Sequence, residues 1–411
     1  MSLILSGLIV CDIFFVYETR RLRKVAVDKS RIATIFVLLL TSVGPLLQCL
    51  SVIAPGVLNR TVAGTNIGAV FQALVLALAS FIVFTTKIKD SKSNALSMPI
   101  VFLGIYVFWA ITNSLLLNQS WFGALSLAPL IVAISIGNFN EKEIELGLWL
   151  SISIIALATT FIIAGYRVLV PCRPDKCMII KETLDFNGTQ NGFSISIALI
   201  GLILMYLTKV MRLRIALFVT IAFFVILGGS RSAFFTFLFI GLGLLISLRT
   251  TESKISKALP FIISILAVTL SLYPIFANFS DQSLTLRGVL WRNAKIAILN
   301  NPIIGNGPSY WTHQFSTGGF TANYGTHNIW LDNLVAFGFI GLILFVIITG
   351  SLYISAHNSD LSILISTIFT LGAIESSFQI WKLSGGVPFF IIIILLHKII
   401  ARTIKSDKPV E

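Results

Sequence analysis

His327 and Asn328 stand where a long, mixed stretch of the chain gives way to an apolar run. An unperturbed imidazole titrates at about pH 6.5, so a neutral histidine there can take a proton from a hydroxyl. His313 shares the same mixed stretch but has no apolar helix behind it. Three arginines complete the set of chemical candidates. Arg231 sits in Gly228-Gly229-Ser230-Arg231-Ser232, between two apolar runs, and Arg287 and Arg292 lie upstream of His327. Guanidinium forks match phosphate oxygens, which makes Arg231 and Arg287 candidate anion clamps. An arginine at a membrane edge also snorkels, and that reading stays open. Asp175, Glu182, Asp185 and Asp281 are too scattered for a metal-carboxylate centre, and no Cys or His cluster has metal-ligand spacing. Gly305 and Gly307 are too few for a nucleotide loop. Asp332 and Glu375 fall in apolar runs, where an acid is either functional or bonded to a neighbouring helix. The chemistry in view is proton abstraction beside a stabilised anion, with no metal and no cofactor.

The elements that must carry these residues are membrane helices. The chain has 411 residues, 56% hydrophobic and 11% charged, with a mean hydropathy of +0.93. Soluble domains carry about 25% charged residues. A water-soluble enzyme, a disordered chain and a disulfide-built module are excluded, and a net charge of +13 reads as membrane-flanking loops rather than nucleic-acid binding. Apolar runs fall at 2–17, 32–54, 66–85, 97–117, 121–138, 146–168, 192–208, 215–229, 233–248, 258–277, 328–350, 361–378 and 385–400. They predict an all-α polytopic membrane protein with about 12–13 spans. The first run contains Asp12 and reads as a weak span or an interfacial helix. Its basic cluster follows it, unlike that of a signal peptide. Arg20, Arg21, Arg23, Lys24, Lys29 and Arg31, then Lys209, Arg212 and Arg214, and finally Lys398, Arg402, Lys405 and Lys408 fall on one side. The positive-inside rule makes that side, and the C-terminus, cytoplasmic.

Two loops then face outward. One, 169–191, holds Cys172 and Cys177. In an oxidising compartment these are expected to pair. Cys11 and Cys49 read as small core residues. The other, 278–327, is the longest and opens on a helical stretch from Leu286 to Leu299. There Arg287, Arg292 and Lys295 interleave with aliphatic residues, a pattern that suits a helix at the membrane surface. Asn300, Asn301 and Pro302 end it, a Gly305-Asn306-Gly307-Pro308 turn follows, and then come Tyr310, Trp311, Phe315, Phe320 and Tyr324. These aromatics read as a wall for sugars or as interface anchors.

The residues also resemble a family. His327-Asn328, nine residues and then Gly338-Phe339-Ile340-Gly341 resembles the His-Asn-x9-Gly-x-x-Gly signature of bacterial O-antigen ligases. Asn301 to Pro308 resembles their Pro-x-x-Gly-x-Gly-Pro turn, and Gly229-Ser230-Arg231-Ser232 their Gly-Ser-Arg-Ser/Gly element. Asn191-Gly192 is similar to their Asn-x-x motif. The ordered set covers about 190–345 and divides the chain into N-terminal transmembrane helices, 1–190, and a ligase-like region, 191–411, that includes the 278–327 loop.

The resemblance implies a GT-C-like, metal-independent lipid-carrier glycosyltransferase of the Gram-negative inner membrane, acting at the periplasmic face. Its donor is an undecaprenyl pyrophosphate-linked glycan and its acceptor is lipid A-core, with membrane lipid as its surroundings. By resemblance His327 is the base and Arg231 an anion-binding arginine. Arg287 is the second, and Arg292 competes for that role. The nearest rival is an O-antigen polymerase using the same donor. A transporter or flippase is a different class. It predicts two related halves and midplane ionisable groups, and no internal repeat is visible.

Overall fold

The computed structural model describes residues 2–25, 31–53, 61–62, 65–87, 98–125, 127–136, 139, 141–166, 190–249, 254–281, 287–320, 325–356, 360–373, 395–397 and 399. Cys172, Cys177, Asp175, Glu182, Asp185, Tyr324, Glu375 and most of the run 385–400 lie outside them.

Helices dominate the described residues, with one two-residue antiparallel pair, Thr61–Val62 with Thr65–Asn66. Four described helices are long and apolar enough to cross a membrane: Met98–Leu116, Glu141–Gly165, Ala258–Phe276 and Ile329–Ala356. Shorter apolar helices accompany them. The protein is an all-α, multi-pass membrane protein. The run 121–138 is not one helix: it divides into Phe122–Leu125 and Ala128–Ile136. Pro129 in the first turn of the second piece has no N–H to continue a helix through this point.

The chain forms two compact units, one of residues 1–93 and 132–245, the other of 94–131 and 246–411. In the first, α1 (Ser2–Val25), α2 (Arg31–Ile53) and α3 (Ile67–Lys87) are joined by α7 (Glu141–Tyr166), α8 (Gln190–Leu207) and α9 (Met211–Leu227). Lipid removes the hydrophobic drive between helices, so close packing and hydroxyl pairs hold them. Gly147 of α7 lies so close to α2 that an added Cβ would sit 2.8 Å from Val37. Thr41 and Ser151 hydroxyls pair at 2.6 Å across the same seam, and Thr19 and Ser153 pair at 2.9 Å between α1 and α7.

The second unit contains α4 (Met98–Leu116), α11 (Lys254–Phe276), α12 (Arg287–Asn300), α13 (Tyr310–Ser316), α14 (Ile329–Ala356) and α15 (Asp360–Gly372). Here α4 and α12 pack on α14, and α11 packs on α15. Trp330 of α14 stacks on Phe369 of α15 with ring centroids 5.4 Å apart.

Candidate active site

The site rests on a break in α14. Gly338 has φ 62° and ψ −158°, a backbone region that only glycine adopts freely. The break strips four peptide groups of their helical partners, and the turn after α12 supplies replacements. Asn306 N–H donates to Val335 O at 2.7 Å and Gly307 N–H to Ala336 O at 2.9 Å. In return, Phe339 N–H donates to Pro302 O at 2.8 Å and Ile340 N–H to Ile303 O at 3.3 Å. The two glycine motifs are therefore halves of one backbone interlock. Gly305 (φ +78°) and Gly338 lie back to back: a Cβ on Gly338 would fall 2.2 Å from Ile303 O and 2.7 Å from Gly305 N.

Side-chain amides from outside the turn fasten it. Asn113 Nδ2 donates to Ile304 O at 2.7 Å. Gln119 Nε2 donates to Asn306 O at 2.9 Å while its Oε1 accepts Ser309 N–H at 2.8 Å. Tyr106 OH donates to Asn333 Oδ1 at 2.6 Å, tying α4 to α14.

His327 occupies the entrance to α14 at φ +55°, the left-handed region that a bulky side chain rarely adopts. Its neighbours hold it there. Thr326 N–H donates to buried Asp332 Oδ1 at 2.8 Å, and Thr326 O accepts Trp291 Nε1 at 2.8 Å. Asn328 caps α14, its Oδ1 accepting the Trp330 and Leu331 N–H groups at 3.1 Å each. Its Nδ2 donates to Ser271 O at 2.8 Å and Ala373 O at 3.2 Å. Thr326 Oγ1 donates to Asn328 O at 2.9 Å and accepts its N–H at 3.1 Å. With both flanking residues pinned, the backbone at His327 is held in place.

Asn328 therefore does two jobs, and substitutions separate them. Asn328→Ala is expected to cost about 2–3 kcal/mol through loss of the cap and of two buried hydrogen bonds. Asn328→Asp keeps the capping oxygen but turns an acceptor toward two carbonyls, so it should not restore stability. Thermal unfolding in detergent reads both. An Asp variant as stable as Asn would reduce the residue to a cap alone.

Burial, and next the Arg287 guanidinium, push the His327 imidazole down to about 3. This corrects the expectation of titration near pH 6.5: His327 stays neutral through the physiological range. Arg287 opens α12 and lies close enough for its charge to oppose the imidazolium. Arg292, one turn later, is exposed and ion-paired with Asp281. Arg231 belongs to the first unit, where it opens α10 (Arg231–Arg249) as an exposed residue. Gly229 (φ +71°) turns the chain there and Ser230 Oγ accepts the Ala233 N–H at 3.3 Å. Gly228 admits the close approach of Ser194, whose hydroxyl would lie 2.0 Å from an added Cβ.

Part of the aromatic run packs into a core. Trp311 is buried with Trp291, Leu331 and Val335, and Tyr310 and Phe320 pack against that cluster. Phe315 and His313 are exposed at the far end of α13. Among the described residues, no group of three or more His, Cys, Asp or Glu side chains is placed to hold a metal ion.

Residues 216–346 match the family model described as O-antigen ligase. This segment belongs to the O-antigen ligase family. No curated protein matches the chain. The ligase-family segment contains Arg231, Arg287, Arg292, His327 and both halves of the backbone interlock. Tyr106, Asn113 and Gln119, which brace it, lie outside the segment. Sequence reading missed them because each is an ordinary polar residue in or beside an apolar helix. Their partners are about 190–230 positions away.

Proposed function

We infer that the protein transfers O-antigen glycan from undecaprenyl pyrophosphate to a sugar hydroxyl of lipid A-core. The reaction takes place at the periplasmic face of a Gram-negative inner membrane, and the C-terminus is cytoplasmic. The family segment supports an enzyme of the O-antigen ligase and polymerase type, acting in lipopolysaccharide biosynthesis. The observation that carries the finer reading is the placement of His327, at φ +55° just before α14 and close enough to Arg287 for that charge to oppose its protonation.

In the reaction, the acceptor oxygen forms a bond to the donor's anomeric carbon as the bond from that carbon to the phosphate oxygen breaks. The electron pair leaves with undecaprenyl pyrophosphate, and the hydroxyl proton passes to His327. Arg287 receives the growing negative charge, and Arg231 is an anion-binding candidate by its likeness to the family's Gly-Ser-Arg element. In the free protein the charge of Arg287 opposes protonation of His327. Pyrophosphate against Arg287 offsets that charge, so donor binding raises the proton affinity of the base when it is needed. The ion pair of Arg292 with Asp281 makes it the weaker clamp candidate.

Arg231→Lys is expected to retain little transfer, since a point charge cannot reproduce a bidentate fork. Arg287→Ala should impair transfer strongly and Arg292→Ala only mildly. Full activity in Arg231→Lys would leave that residue a snorkelling role. A dead Arg292→Ala beside a silent Arg287→Ala would exchange the two assignments. The lipopolysaccharide banding pattern of a deletion strain tests the reaction itself. Loss of all O-antigen from core, with lipid-linked polymer accumulating, is the expected ligase result. Core carrying a single repeat would make the enzyme a polymerase.

A further inference from the structure

Arg287 opens α12, and Trp291 stands one turn further on. Trp291 Nε1 donates to Thr326 O, the carbonyl of the peptide that leads into His327. The register of α12 against this turn therefore decides how Arg287 stands to the imidazole. The first turn of α12 is poorly furnished to hold itself. It has no acidic residue, and a cation at a helix N-terminus works against the helix dipole.

Support comes from the segment that leaves α11. Ala277 O accepts Lys295 Nζ at 2.8 Å. The Phe279 ring meets Trp291 edge-on with centroids 4.5 Å apart, and meets Tyr273 of α11 at 5.5 Å. The Ser280 carbonyl lies against Gly288, where an added Cβ would fall 1.9 Å from its oxygen and 2.9 Å from its carbon. Asp281 pairs with Arg292. Positions 288, 291, 292 and 295 are spaced i, i+3, i+4 and i+7, which is one face of a helix. Their partners run the other way, from Ser280 beside the first turn to Ala277 beside the third. Residues 277–281 thus lie along one stripe of α12, antiparallel to it. Gly288 is the closest point of contact. It does not have a positive φ, and within a helix alanine is the better helix former. The helix does not call for glycine there; the approach of the Ser280 carbonyl does.

We propose that residues 277–281 are a splint that sets the position of Arg287 beside His327, with Gly288 as the positioning residue on the helix side. Neither touches substrate, and both act through Arg287. Resting on the transferase reading, in which Arg287 meets the donor pyrophosphate, the splint decides how well that charge is met. Arg292 is one of its fasteners. Its pair with Asp281 is exposed, and exposed pairs hold weakly, which is why Arg292→Ala should be mild.

A double-mutant cycle tests this in the full chain in detergent, with equilibrium binding of a short, water-soluble polyprenyl pyrophosphate as the readout. Gly288→Ala is expected to weaken binding about tenfold, the scale of one charge-assisted contact. Added to Arg287→Ala, which is already weak, the same change should alter binding by no more than about twofold. Phe279→Leu loosens the splint without a clash. It should show the same coupling at smaller amplitude, and it carries the test if Gly288→Ala does not fold. Equal weakening with and without Arg287 would make 277–281 a general support and overturn the positioning role, as would native-like binding in both splint variants. A native chain that binds no polyprenyl pyrophosphate would overturn the transferase reading and the splint's role with it.

Discussion

His327→Ala is expected to lose about 100- to 10,000-fold in transfer from purified undecaprenyl pyrophosphate-linked glycan to lipid A-core. Expression and folding should be kept, because the cap that starts α14 belongs to Asn328 and not to the imidazole. His313→Ala, on the exposed α13, should be close to normal. The pH profile makes the sharper test. The dependence of kcat/KM on pH reports groups of the free enzyme, and that of kcat reports the complex. With His327 pushed down to about 3, kcat/KM should stay level through pH 6.5 and fall only in strong acid, as the base becomes protonated. Donor binding raises the proton affinity of the imidazole, so any acid limb in kcat should lie at higher pH than that in kcat/KM. A kcat/KM that rises through pH 6.5 would mean a solvated histidine and a different geometry. Near-normal turnover in folded His327→Ala would remove the residue from the mechanism. The same depression acts on stability. Between about pH 3 and 6.5 the unfolded chain binds the proton that the folded site refuses, so this group's contribution to stability falls as pH falls through that window.

The second large effect belongs to the backbone interlock. Gly338→Ala would place a methyl 2.2 Å from Ile303 O in a conformation that itself costs an L-residue about 1–3 kcal/mol. Relief requires the turn to move away, which loosens four backbone hydrogen bonds worth about 1 kcal/mol each. The expected destabilisation is about 4 kcal/mol, at the severe end for one substitution. Gly305→Ala meets the same wall from the other side, 2.5 Å from Gly338 N. Gly318 is the control: its φ is +76° but nothing lies within 4 Å of an added Cβ, so Gly318→Ala should cost only about 1 kcal/mol. The midpoint of thermal loss of monodisperse protein in detergent ranks the three. Equal midpoints for Gly338→Ala and Gly318→Ala would refute the interlock.

Much of the helical framework was legible because apolar runs in lipid have one way to satisfy their peptides. The run 258–277 became Lys254–Phe276, and 328–350 became the front of Ile329–Ala356. The break at Gly338 was not legible: Val335 to Leu344 is an unbroken apolar stretch, and hydropathy cannot register the sign of φ. Two motifs 30 residues apart were visible as glycine spacings, but their mutual hydrogen bonding depends on tertiary contact. The basicity of His327 was misjudged for a related reason. An unperturbed value presumes water, and the sequence does not display the burial that removes it. The aromatic run looked like a surface because it lies in a loop, yet Trp311 fills the space between α12 and α14.

The amide braces have a bearing on how this protein could be taken apart. Asn113 and Gln119 hold the turn from a helix and loop that precede the ligase-family segment by about 100 residues. The segment 216–346 is thus not a cassette. Grafted alone into a related scaffold, it would arrive with the carbonyls of Ile304 and Asn306 and the amide of Ser309 lacking these partners. A graft that carries residues 98–120 along with it brings its own fasteners. Chimaeras meant to exchange glycan preference should therefore exchange 98–120 together with 216–346, and the exchange of 216–346 alone is the one expected to fail.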